Sequence, residues 1–185
     1  IIADPTDEGM QKKINLKIKK REGFRPFAPS IIEEYFSDYF SPPAKSIYML
    51  LVSYINQDLR INYEGFERMS WYEKLYLKKS PVPAVTHVDF SSRVQVVSRD
   101  KNPLFYSLIG EFKKIKDCPM VLNTSFNGKD EPIVATPIDA YNCFMKNDLD
   151  YLFIGNFMLK RDDQHNQKIF NKKTSEINDT KDLIT

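Results

Sequence analysis

Pro119-Met120-Val121-Leu122-Asn123-Thr124-Ser125-Phe126-Asn127 is an apolar run that breaks into a polar cluster. The run predicts a strand over residues 119–122. The residues after it form a loop just past a strand end, where ligands usually bind in α/β sheets. Four hydrogen-bonding side chains, Asn123, Thr124, Ser125 and Asn127, can grip phosphoryl or carbonyl oxygens there without a glycine-rich loop. The plainer alternative is a turn rich in Asx and Ser/Thr motifs. Upstream, Asn102-Pro103 opens a helix with a cap, a proline at the first helical position, and Leu104, Leu108, Phe112 and Ile115 expected on one inward face. Downstream, Thr136-Pro137-Ile138-Asp139 has the capping-box form and starts a helix through Met145.

The same reasoning extends in both directions. Thr6 as a cap, with Met10, Ile14 and Ile18 recurring every four residues, predicts a helix over 6–19. The prolines and glycine of 21–30 exclude a helix there, and a short one is expected over 31–36. Residues 48–55 read as a strand buried on both faces, and 71–77 as a short helix around Trp71, the only tryptophan. Residues 84–88 and 93–98 read as strands of a hairpin whose turn is Asp89-Phe90-Ser91-Ser92, and 151–154 with 157–159 as a last strand pair. One domain is expected over 1–160, followed by a polar extension, 161–185, in part disordered. Strands mixed with helices, some hairpin-linked and some crossing over, predict an α/β domain with a mixed sheet.

Composition narrows the function classes. The 185 residues carry 27 basic and 25 acidic side chains, a net charge of +2, which argues against strong nucleic-acid affinity. No apolar stretch approaches the ~20 residues of a membrane helix. The first residue is Ile, so the sequence is expected to be cut from a longer chain, with no signal peptide and a cytoplasmic setting. The six glycines lack the spacing of a Walker A loop or a GxGxxG turn. Cys118, Cys143, His87 and His165 form no zinc pattern, and both cysteines read as packing residues.

Two further polar clusters stand out. Lys19-Lys20-Arg21 with Arg25 is either a solvated basic helix end or an anion grip. Arg25 is fenced by Phe24, Pro26, Phe27 and Pro29, a frame expected to hold its stem rigid and partly dry for bidentate binding. The other cluster is His87-Val88-Asp89 with Arg93. Hairpin alternation would put His87 and Asp89 on one face, with a satisfied histidine and a turn carboxylate as the plainer reading. Together the clusters supply cations and a hydroxyl/amide loop, as an anionic phosphate ester requires. No nucleophile and no paired-carboxylate pattern accompanies them, so catalysis would rest on positioning and charge neutralisation.

Four strings also occur in one order: Lys19-Lys20-Arg21-Glu22-Gly23-Phe24-Arg25-Pro26-Phe27-Ala28-Pro29-Ser30, Pro83-Ala84-Val85-Thr86-His87-Val88-Asp89, Leu122-Asn123-Thr124-Ser125-Phe126-Asn127 and Glu131-Pro132-Ile133-Val134. This set closely resembles the C-terminal domain of the O-carbamoyltransferases of the nodulation-protein (NodU-like) and antibiotic-tailoring type, over about residues 2–160. The resemblance implies a YrdC-like twisted mixed sheet flanked by helices. It also implies an N-terminal partner domain in the same full-length chain, of the Kae1 branch of the actin-like ATPase fold.

In such enzymes the YrdC-like part takes carbamoyl phosphate and ATP, with Mg²⁺, to carbamoyl adenylate. The other domain passes the carbamoyl group to an acceptor hydroxyl, often on a sugar or an antibiotic. The family's Lys-x-Arg element looks like Lys19-Lys20-Arg21, and its Ser-x-Asn element looks like Ser125-Phe126-Asn127. By this match Lys19, Arg25, Arg93 and Ser125 are the implied catalytic residues. Arg21, Asn123, Thr124 and Asn127 join them around carbamoyl phosphate and ATP. Two positions depart from the family: Phe90 stands where a glycine is usual after Asp89, and Asp130 where one is usual before Glu131. The competing readings are a nucleotide- or RNA-binding module without turnover and a structural lobe supporting the transferase domain.

Overall fold

The computed structural model describes residues 1–41 and 46–164. In chain order these form β1 (Ile2–Ala3), α1 (Met10–Lys13) running into a π-helical turn (Ile14–Ile18), β2 (Ala28–Ile32), a 3-10 turn (Glu33–Tyr35), α2 (Phe36–Tyr39), β3 (Phe40–Ser41), β4 (Ser53–Ile55) and α3 (Trp71–Leu75). Then follow β5 (Ser91–Ser92), β6 (Gln95–Val97), α4 (Pro103–Lys116), β7 (Met120–Asn123), α5 (Pro137–Lys146), β8 (Tyr151–Ile154) and β9 (Phe157–Lys160). By contact the chain divides into two units. The larger is Ile1–Leu16 with Lys20–Ser125; the smaller is Lys17–Lys19 with the described part of Phe126–Thr185.

The larger unit is built on a four-stranded sheet in the order β1-β7-β2-β6. β2 runs parallel to β6 and antiparallel to β7, and β1 pairs antiparallel with β7, so the sheet is mixed, as the α/β reading requires. All five residues of β2 are buried. On one face Ile32, Val97 and Val121 pack with Ile109 of α4, and Tyr35, Phe105, Tyr106 and Phe112 close over them. Each such side chain contributes about 1.5–3 kcal/mol on burial. A second sheet, β3-β4-β5, is antiparallel throughout.

Several expectations are corrected here. α4 begins as expected, with the Asn102 side chain accepting from the Phe105 amide, but its inward face is rotated. Leu104 and Ile115 are 81% and 79% exposed, and Leu108 is exposed too. Two apolar stripes share Phe112, and the one carrying Phe105 and Ile109 places more ring surface on the sheet. Ile31 and Ile32 lie in β2, not in a helix, because branched side chains suit a strand buried on both faces. Only Ser53–Ile55 of the expected strand 48–55 is extended; Tyr48 and Leu50 are exposed, and Met49 adopts a positive φ of 57°.

The helix expected from Thr6 starts instead at Met10, because Thr6 turns its hydroxyl and amide onto Asp4 Oδ1, at 2.6 and 2.9 Å. The expected hairpin around residue 90 is absent. Pro83–Val85 is a 3-10 turn, β5 pairs with β4, and β6 joins the other sheet in parallel.

In the smaller unit, β8 and β9 form the expected antiparallel pair, and α5 packs on β8. The capping box of α5 is complete: Thr136 Oγ1 accepts from the Asp139 amide at 3.1 Å, and Asp139 Oδ2 accepts from the Thr136 amide at 3.0 Å. Those bonds hold the Asp139 carboxyl below its ordinary range. A Cβ at Gly128 would lie 2.5 Å from Glu131 Oε2 and 2.8 Å from Asn147 Nδ2, so those side chains would have to shift to admit one. Of the expected polar extension, Arg161–Asp163 form a 3-10 turn, and 165–185 lie outside the described residues. Among the described residues no helix is long and apolar enough to cross a membrane.

Candidate functional site

Strand direction collects most of the expected site residues at one edge of the larger unit's sheet. β2 and β6 are parallel and begin at this edge; β7 is antiparallel to β2 and ends there, with Ala28 opposite Asn123. The loop bearing Arg21 and Arg25 enters β2, Arg93 stands just before β6, and Asn123, Thr124 and Ser125 close β7. The edge therefore gathers the ends of strands running both ways, not only the carboxyl ends expected from sequence.

The three strands are cross-linked by side chains. Ser30 of β2 donates its hydroxyl to Gln95 Oε1 of β6 at 2.6 Å. Asn123 of β7 donates from Nδ2 to Ser30 Oγ and to Gln95 Oε1, both at 3.0 Å. Ser30 is fully buried. The Thr124 amide donates to the Ile1 carbonyl, and the Ser125 side chain is exposed.

The basic loop is organised by a residue that sequence reasoning missed. Asn15 is fully buried in the π-helical turn. Its Nδ2 donates to the Gly23 and Arg25 carbonyls at 3.2 and 2.8 Å, while Oδ1 accepts from Arg21 Nε at 2.7 Å. Gln11 adds donations to the Phe24 and Arg25 carbonyls. The wider π turn carries Asn15 to these groups. Arg21 also lies 5.2 Å from the Phe27 ring. Burial lowers its pKa, the like charge of Arg25 adds to that, and Glu22 opposes it.

The Arg25 side chain is half exposed and paired with Glu22 at 2.8 Å, and Phe24 of the expected frame is exposed as well. The loop is rigid through its backbone, and the guanidinium reaches solvent.

Beside this edge a cleft of about 260 Å³ is lined by Gln11, Phe24, Pro26, Lys79, His87 and Asp89, among others. None of the eight expected site residues lines it. His87 Nδ1 lies 3.0 Å from Ser91 Oγ, and the ring also bonds the Phe27 backbone. Burial lowers the His87 pKa below its ordinary 6.5; Asp89 works against this, while Arg93 and Lys79 add to it. Arg93, itself exposed, thus lies within electrostatic reach of His87. Asp89 accepts from the Ser91 amide at 3.0 Å, so the pair is held within one turn rather than by strand alternation. Lys79 is buried and donates to the Lys74 and Leu77 carbonyls at the end of α3.

Both departures from the family pattern adopt the left-handed conformation that favours glycine: Phe90 has φ 64° and Asp130 φ 56°. Phe90 is clamped. Its carbonyl accepts from the Ile55 amide at 2.9 Å, the Arg60 guanidinium lies 4.8 Å from its ring, and the Phe66 ring centroid is 5.4 Å away.

Lys19 and Asn127 belong to the smaller unit. The buried Lys19 ammonium donates to the Asn127 carbonyl at 3.0 Å and to Asn127 Oδ1 at 2.8 Å, and Asn127 Nδ2 donates to the Glu131 carbonyl at 2.9 Å. The two cysteines are buried packing residues, as expected: desolvation pushes the Cys118 thiol up to about 11 and raises Cys143 as well. Of the polar residues that matter at the sheet edge, Gln95 had a signal in sequence, a lone amide inside Val94-Gln95-Val96-Val97. Ser30 and Asn15 had none.

The comparisons with known proteins bear on the family resemblance. The chain is 47% identical over 162 residues to protein sll1178 of Synechocystis sp., covering 87% of this chain and 26% of that protein. It is 37% identical over 161 residues to nodulation protein NolO of Bradyrhizobium diazoefficiens, again covering 87% of this chain and 26% of the relative. It is 34% identical over 127 residues to nodulation protein U of Sinorhizobium fredii, covering 69% and 19%. The chain thus spans about a quarter or less of the length of these curated relatives. A family model described as the carbamoyltransferase C-terminus matches residues 1–161, and the chain belongs to that family.

Proposed function

We propose that this chain is the YrdC-like part of a larger carbamoyltransferase and binds carbamoyl phosphate and ATP at the edge where β2 and β6 begin and β7 ends. The overall conversion consumes carbamoyl phosphate, ATP and water and yields carbamoyl adenylate, pyrophosphate and inorganic phosphate. A Kae1-like domain elsewhere in the full-length chain would then pass the carbamoyl group to an acceptor hydroxyl, on a sugar, an antibiotic or a nodulation-factor-like metabolite. The two buried free thiols suit a cytoplasmic setting.

The observation that carries this reading is the closed Ser30–Gln95–Asn123 network beside two arginine-bearing strand entries. Two polyanions repel each other, and Arg25 and Arg93, both exposed, supply charge to offset that. Arg21, fixed by Asn15 and Phe27, supports the loop that carries Arg25. Asn123 and Ser125 would hold the carbamoyl group in line with the α-phosphate, with the Thr124 backbone between them. Lys19 and Asn127 join this set by motif match. Mg²⁺ would enter with ATP, bound chiefly to the nucleotide's phosphates.

In the full-length protein, Arg25→Ala should abolish carbamoyl-phosphate-dependent release of pyrophosphate from ATP. Unchanged release would overturn the assignment. Calorimetry with carbamoyl phosphate and a non-hydrolysable ATP analogue adds a second arm. Binding of neither would favour a structural lobe, and binding of nucleotide alone a nucleotide-binding module.

A further inference from the structure

Asn123 is held in one orientation by a relay that runs across three strands and ends in a buried serine. Ser30 has one hydroxyl proton, and it goes to Gln95 Oε1 at 2.6 Å. Gln95 Oε1 also accepts from Asn123 Nδ2 at 3.0 Å, and Ser30 Oγ accepts from the same nitrogen at 3.0 Å. Nδ2 therefore faces two acceptor oxygens at once. Exchanging the oxygen and nitrogen of Asn123 would set Oδ1 against Gln95 Oε1, two acceptors with no proton between them. It would also set Oδ1 against Ser30 Oγ, whose proton is already used. Gln95 is oriented in turn: its Nε2 lies 3.5 Å from the Ile47 carbonyl, and the opposite orientation would face oxygen to oxygen. Ser30 is fully buried, so water does not compete at the inner end of the relay. Asn123 is left with one uncommitted side-chain atom, Oδ1, a pure acceptor at the end of β7.

We propose that Ser30 and Gln95 are positioning residues that hold Asn123 Oδ1 outward as an acceptor, and that this selects the amino group of a carbamoyl phosphate over the methyl group of acetyl phosphate. The proposal rests on the carbamoyl phosphate reading above. The two acyl phosphates share shape and charge and differ at this one group. Against –NH₂, Oδ1 gains a donor. Against –CH₃ it loses its water and gains nothing, the situation in which a site discriminates most strongly. Neither Ser30 nor Gln95 needs to touch the substrate; both act through Asn123.

The test compares Kd and KM for carbamoyl phosphate with the inhibition constant of acetyl phosphate in the full-length protein. The native protein should prefer carbamoyl phosphate by about a hundredfold or more. Gln95→Met, which removes the shared acceptor, should reduce that preference about tenfold. The change should fall on carbamoyl phosphate KM, with kcat and acetyl phosphate affinity little altered. Gln95→Glu still accepts from Ser30 and Asn123. Its charge acts equally on two equally charged ligands, so the preference should survive even as both bind more weakly. An unchanged preference in Gln95→Met, or a preference lost equally in Gln95→Glu, overturns the proposal. If Gln95→Met does not fold, Ser30→Ala, which leaves Asn123 only its Gln95 bond, should lower the preference by a smaller factor, and an unchanged preference there overturns the proposal.

A second arm needs no substrate. The Asn123 side-chain amide protons, assigned by their loss in Asn123→Asp, should exchange slowly in the unliganded protein and rapidly in Gln95→Met. Rapid exchange in the native protein overturns the relay itself. Slow exchange without discrimination leaves the relay standing and overturns the selectivity proposal, whereas failure to bind carbamoyl phosphate at all overturns the reading on which it rests.

Discussion

The Ser30–Gln95–Asn123 network and the His87–Phe90 turn lie in the same unit and hold their polar groups in opposite ways. In the network, three side chains from adjacent strands satisfy one another at 2.6–3.0 Å. In the turn, Phe90 takes a positive φ of 64°, a conformation that costs about 1–2 kcal/mol for a residue with a side chain. That cost is offset by its surroundings. The Phe66 contact contributes about 0.5–1.5 kcal/mol and the Arg60 contact about 0.5–1. Arg60 is itself anchored, donating from Nε to the Ile55 carbonyl at 3.0 Å, while the Ile55 amide bonds the Phe90 carbonyl. A group can thus be held by closing its hydrogen bonds or by balancing strain against packing. The first is robust to changes nearby; the second depends on a few ring contacts.

The largest expected effect is at the strained turn. Phe90→Ala keeps the positive φ but loses both ring contacts, and should destabilise the protein by about 2 kcal/mol in urea unfolding. Phe90→Gly loses the same contacts but relieves the backbone, and should recover about 1 kcal/mol of that loss. If the two variants unfold at the same midpoint, the turn stores no strain and the contrast with the strand network disappears.

A smaller effect is expected in the network. Ser30→Ala removes one link while leaving the Asn123–Gln95 bond in place, and should cost about 1 kcal/mol. A loss as large as that of Phe90→Ala would show that the network is not robust in the sense argued above.

The smallest effect concerns pH. The folded His87 pKa lies below the unfolded 6.5, chiefly through burial, so the unfolded chain binds more protons in the window between the two values. Stability should therefore be full above about pH 6.5 and fall as pH drops through that window. Asp4, Glu22, Asp89 and Asp139, all held below their ordinary values, contribute only at more acid pH. Unfolding free energies measured between pH 7.5 and about 5.5 should slope downward in the native protein and flatten in His87→Gln. A native profile that rises on acidification would contradict burial of the neutral ring.

Local rules read well where one residue type has one use. Asn102-Pro103 and Thr136–Asp139 cap the helices they were expected to cap. They read poorly where two patterns overlap. Phe112 belongs to both apolar stripes of α4, and periodicity alone cannot say which stripe meets the sheet. Ile31 and Ile32 suit either a helix or a strand until β6 and β7 are known to flank them. At the candidate site the arginines and the Asn123–Asn127 loop were visible as residue types. Asn15 was not, because an asparagine inside an apparent helix gives no sign of the π turn that aims it.

What the sequence alone determined was the inventory: the α/β class, the capped helices, the strand ending at Asn123, the order of the four strings and, through them, the family. These rest on short-range sterics and on which residues are present. What only the tertiary structure decided was which groups face one another. The parallel pairing of β2 with β6 brings Ser30 opposite Gln95. The antiparallel pairing of β2 with β7 places Asn123 beside both. These contacts join residues 28 to 93 positions apart, and hydrogen bonds act only at about 3 Å, so no local pattern in the chain encodes them.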